Sequence, residues 1–175
     1  MKTTVVKYCI LGALLLMGSK SFGQFFVSTE VYVSVSEVKS IVVNQTQLNI
    51  ELSFDNPEQM MMGQTITQPN HIEITSSTDY EIKIFASTDL ESGQATIPAD
   101  NVSITPQPGD VGYNDATINY MPVPLSQQEQ SIIMSVQGDT RRSFDITYTV
   151  GSLENYMNYP SGIYSTTITY SIVGN

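Results

Sequence analysis

The stretch Phe144-Asp145-Ile146-Thr147-Tyr148-Thr149-Val150 alternates large apolar or aromatic side chains with short polar ones at every position. A period of two belongs to a strand with one face in a core and the other in water. The same period recurs on either side. Upstream, Leu48, Ile50, Leu52 and Phe54 alternate with polar residues, and Tyr80, Ile82, Ile84 and Ala86 alternate with Glu81, Lys83 and Phe85. Downstream, Tyr164, Thr166, Ile168, Tyr170 and Ile172 do so. Weaker strand patterns cover 70–75, 95–104, 115–120 and 131–137, and Thr, Val, Ile and Tyr are the residues strands prefer.

Turn chemistry separates these runs: Asp55-Asn56-Pro57, Ser92-Gly93, Pro106 to Asp110, Gln137-Gly138-Asp139 and Pro160-Ser161-Gly162. Strands arrive at short, regular intervals, and no window sustains a 3.6-residue period. The expected fold is all-β, an antiparallel β-sandwich, with a barrel as the other closed solution.

The beginning of the chain reads differently. Lys2 and Lys7 precede the apolar run Cys9 to Met17, and small residues stand at Ser21 and Gly23. That is the layout of a secretory signal peptide, residues 1–23, cleaved between Gly23 and Gln24. The apolar run is shorter than the roughly 20 residues a spanning helix needs, so no transmembrane segment is expected after cleavage. The destination is outside the inner membrane: periplasm, cell surface or medium.

Removing 23 of the 175 residues leaves 152, which suits one domain. It also removes the one cysteine, Cys9, and three lysines. Four basic residues then face seventeen acidic ones, a net charge of −13. Such a surface gains nothing from nucleic acid or from an anionic membrane.

Catalytic equipment is sparse, and no catalytic, cofactor or metal-binding residue is assigned. With one histidine and no mature cysteine, Cys/His chemistry is excluded, and a zinc ligand set is missing. A Ser-His-Asp triad would have to use His71, which the alternation of Ile72 and Ile74 places on the solvent side with Glu73. Asp110 to Asp115 offers oxygen ligands but lacks the spacing of an EF-hand loop. Met60-Met61-Met62 falls between strands, in a loop expected to fold over the open end of the core or else to serve as a subunit contact. The chain has no tryptophan to stack on sugars.

One long run lies just behind the cleavage point. Val27, Thr29, Val31, Val33 and Val35 share one face, while Ser28, Glu30, Tyr32, Ser34 and Ser36 share the other. Residues 24–44 are therefore set apart as an N-terminal strand preceding a sandwich domain at 45–175. The run is either the first strand of its own sandwich or a strand donated to another molecule.

The closing residues bear on that choice. Tyr159-Pro160-Ser161-Gly162-Ile163-Tyr164 followed by the alternating Ser165 to Ile172 resembles the last strand of pilin-like domains. Those include chaperone–usher pilins and spore-coat-U-like proteins, and the signal ending Phe22-Gly23-Gln24 resembles those of the Bacteroidetes. The likeness spans about a quarter of the mature chain, and it lacks the disulfide pair of many pilins. It implies an immunoglobulin-like sandwich lacking one strand, filled by a neighbour's N-terminal extension. The implied role is a structural or adhesive subunit of a fimbria-like or coat-like assembly. Its partners would be other copies or related subunits, with a periplasmic chaperone during export. The alternative is a closed, stand-alone module that binds a glycan or a surface protein.

Overall fold

The structure, a computed structural model, describes residues 28–112, 118–152 and 159–174. The chain divides into two units, Met1–Val35 and Ser36–Asn175. In the first unit the described residues, 28–35, form neither strand nor helix and are exposed. The Tyr32 hydroxyl donates to the Glu30 carboxylate there.

In the second unit the alternating stretches pair into strands: β1 Lys39–Val43, β2 Gln64–Ser76, β3 Tyr80–Ala86, β4 Leu90–Ser92, β5 Ala95–Ile97, β6 Val102–Pro108, β7 Ile118–Tyr120, β8 Val123–Pro124, β9 Gln130–Ser135, β10 Asp139–Val150 and β11 Ile168–Val173. One sheet has the order β1-β2-β10-β6-β8 and the second β11-β3-β9-β7, with β4-β5 a small hairpin. Every pairing is antiparallel. The two larger sheets pack face to face, so the fold is an all-β sandwich.

The core is the inward half of each alternation. Tyr80, Ile82, Ile84 and Ala86 of β3 meet Phe144, Ile146, Tyr148 and Val150 of β10, with Ile72, Ile74, Ile104, Leu125, Ile132 and Ile133 completing the layer. Each such side chain contributes about 1.5–3 kcal/mol on full burial. Two deep polar side chains illustrate how such groups are held. The Tyr80 hydroxyl donates to Asp139 Oδ2 at 2.8 Å, and the guanidinium of buried Arg142 lies 5.8 Å from the Phe144 ring centre.

Three sequence expectations change. Leu48 to Phe54 does not form a strand; it runs unpaired, with Ile50, Leu52 and Phe54 half-buried against the core. Met60-Met61-Met62 lies in a short helix, α1 Pro57–Met62, rather than a loop. Asn56 Oδ1 caps it by accepting from Gln59 N–H at 2.9 Å, Pro57 takes the first turn, and Gly63 at φ 82° ends it. Met61 and Met62 are exposed, so they do not cover the core.

The third change concerns His71, which is buried at 2% exposure and not on the solvent face. Opposite Phe144 to Ile146, β2 carries two extra residues, because Phe144 pairs with Ile72 while Ile146 pairs with Gln68. Asn70 sits in that bulge at φ 47°. The bulge breaks the alternation, and His71 and Ile72, adjacent in sequence, both turn inward.

Candidate functional site

β1 is an edge strand of one sheet and β11 of the other, and the two approach each other along the same side of the sandwich. Their hydrogen-bonding phase follows from the bonds at their ends. Ser87 N–H donates to the Thr167 carbonyl at 2.9 Å. Antiparallel residues alternate between facing the partner and facing away. In the unbroken register that follows, the backbone groups of Thr169, Ser171 and Val173 point to β3. Those of Ile168, Tyr170 and Ile172 point to the open side. By the same reasoning Asn44 N–H to the His71 carbonyl, 2.8 Å, and Ser77 N–H to the Val38 carbonyl, 2.9 Å, turn the backbone groups of Lys39, Ile41 and Val43 outward.

Among the described residues, these outward groups have no backbone partner. Nor does the strand-patterned stretch 48–54 that follows β1. A backbone with alternating apolar anchors and no ladder leaves its hydrogen-bonding groups open to water or to a further strand.

The strand-forming residues singled out near the N-terminus are placed as follows. Val27 lies outside the described residues, as do Gly23 and Gln24. Thr29 is exposed, and Val31, Val33 and Val35 are 81%, 82% and 85% exposed. Their β-branched side chains are presented to water without a ladder of their own.

The edge strand β11 is fastened to the opposite sheet by a buried chain of hydrogen bonds. Gln47, in the 3₁₀ turn after β1, donates its Nε2 hydrogen to the Pro69 carbonyl at 3.0 Å. Its Oε1 therefore faces His71 Nδ1, 3.0 Å away. An amide oxygen only accepts, so Nδ1 carries the proton and Nε2 is bare. The Tyr148 hydroxyl, 2.9 Å from Nε2, donates to it, and the Tyr170 hydroxyl donates to Tyr148 across 2.5 Å. Burial pushes the His71 pKa down. Burial also pushes Tyr148 up to about 12, and it raises Tyr170 well above the ordinary tyrosine value.

The remaining candidates are structural. Asp110 Oδ2 accepts from Asn70 Nδ2, and Asp145 Oδ1 accepts from Asn70 N–H, so both acids hold the bulge. Asp115 lies outside the described residues. Among the described residues no group of three His, Cys, Asp or Glu side chains is arranged to hold a metal ion.

The open hydrogen-bonding edge of β11 and the inward turn of His71 are the features that sequence reasoning missed. An antiparallel edge has no sequence signature of its own. The bulge was foreshadowed only by Pro69-Asn70 within an otherwise alternating run. No protein-family model matches the chain, and no curated protein is significantly similar to it.

Proposed function

We propose that the protein is a non-catalytic, exported structural or adhesive subunit of a fimbria-like or coat-like surface assembly, polymerising by β-strand addition. The side bounded by β1 and β11 is the acceptor. The run Val27 to Val35 of another copy, or of a related subunit, is the donor.

One observation carries the reading: among the described residues, a strand-patterned stretch has no ladder, and two neighbouring sheet edges have outward backbone groups and no partner strand. Strand addition supplies main-chain hydrogen bonds for affinity and pockets for alternate side chains. The reading is strengthened by topology. The order β1-β2-β10-β6 follows the A-B-E-D sheet of an immunoglobulin-like sandwich, and β11-β3 follows F-C, so the donated strand takes the place of G. The correspondence departs at β9, which lies beside β3 but falls between β6 and β10 in sequence. The acidic, cysteine-free mature chain accords with an exported surface protein.

Size-exclusion chromatography with light scattering tests it. The mature chain is expected to form a ladder of multiples that survives mild detergent, and a chain lacking residues 24–35 to remain a folded monomer. A mature chain that stays monomeric at high concentration refutes the proposal, as does a truncated chain that unfolds.

A further inference from the structure

His71 is the one histidine of the chain, and both its ring nitrogens are committed inside the sandwich. Three elements meet on it. The 3₁₀ turn brings Gln47, β10 brings Tyr148, and β11 brings Tyr170, whose ring packs edge-on at 5.8 Å. The titratable groups facing it are the two tyrosines. Among the described residues no carboxylate forms an ion pair with the ring, and burial lowers its pKa.

The chain of bonds has one direction: Tyr170 O–H to Tyr148 O, Tyr148 O–H to His71 Nε2, His71 Nδ1–H to Gln47 Oε1. A second proton on the ring converts Nε2 from acceptor to donor. Tyr148 then loses the acceptor for its own hydroxyl hydrogen, and an uncompensated cation sits in the core.

We propose that this chain of bonds is an acid-sensitive clasp, in which protonation of His71 releases β11 from the opposite sheet. The clasp stands on the monomer alone. Its consequence for assembly, loosening of the acceptor edge on acidification, rests on the function proposed above.

The sign follows from linkage. The folded-state pKa of His71 lies below the ordinary histidine value of about 6.5, so the unfolded or opened state binds the proton first. Stability is complete above pH 6.5 and is lost as pH falls from there towards the folded-state value.

Amide hydrogen exchange of the full mature chain between pH 7.5 and 5.5, corrected for intrinsic rates, reads the clasp. The opening constant at Thr169, Ser171 and Val173 is expected to rise about tenfold per pH unit below 6.5. Amides of β6 should lag behind those of β11. His71→Gln should abolish the pH dependence, and Tyr170→Phe should make β11 open to the same extent at every pH. Should His71→Gln fail to fold, NMR titration of the single histidine ring in the unmodified chain still decides. A ring that titrates at or above 6.5, or a β11 whose exchange is flat over this window, overturns the clasp. Acid-dependent opening in a chain that never assembles leaves the clasp standing and overturns only the assembly reading.

Discussion

Replacing Val33 by aspartate separates the folding of this domain from its proposed assembly. Val33 is 82% exposed and in no strand, so the substitution leaves the monomer's stability within about 0.5 kcal/mol, as surface changes do. In the proposed assembly the same side chain would enter an apolar site between β1 and β11. Burying a valine contributes about 1.5–3 kcal/mol, nearly all of it still available to a residue this exposed. The variant forfeits that contribution and also places a carboxylate in an apolar site, at a cost of several kcal/mol more. The sum exceeds about 4 kcal/mol, which weakens association by about three powers of ten. The assay is paired: light scattering after size exclusion for assembly, urea unfolding for stability. A Val33→Asp chain that assembles like the unmodified one refutes the donor role. A chain whose unfolding midpoint collapses refutes the claim that the stretch is dispensable to the fold.

Other outcomes follow from the packing. Phe144→Ala empties a fully buried site at the centre of β10 and should lower unfolding free energy by about 3–5 kcal/mol in urea melts. Gly63→Ala places a Cβ 2.5 Å from the Val150 carbonyl oxygen at φ 82°, and calorimetry should show a loss of about 1–3 kcal/mol. Tyr120 and Tyr148 are pushed up to about 12 by burial, so their stabilisation is complete below pH 10 and is lost as pH rises towards 12. Absorbance titration should therefore show these two phenols ionising only as the domain opens above pH 10.

Much of the fold was legible in the sequence because burial on one face writes a period of two. Tyr80 to Ala86 reads as a strand and is one, and Phe144 to Val150 sits within the longer β10. Leu48 to Phe54 shows where the pattern misleads: alternation reports a half-buried extended chain, not a hydrogen-bonded one. The short β4 and β8 escaped notice because two or three residues carry too little periodicity. Asn56-Pro57 reads equally as a turn and as a helix start, and the three methionines that follow favour the helix. Of the candidate site, the valine run is plain in sequence, whereas the clasp depends on a bulge that inverts the facing of His71.

The pairing of β2 with β10 has a consequence in time. These strands form the longest interface of the sheet, yet Thr65 and the Thr149 it bonds are 84 residues apart along the chain. The central ladder therefore cannot start until a large loop has closed, and β-rich chains of this kind fold on the order of milliseconds to seconds. Through that interval the alternating runs remain available to any neighbouring chain. A polypeptide delivered unfolded and crowded with copies of itself would gain from an escort that shields the unpaired strands, which would be a kinetic reason for the periplasmic chaperone that the resemblance to pilin-like domains implies.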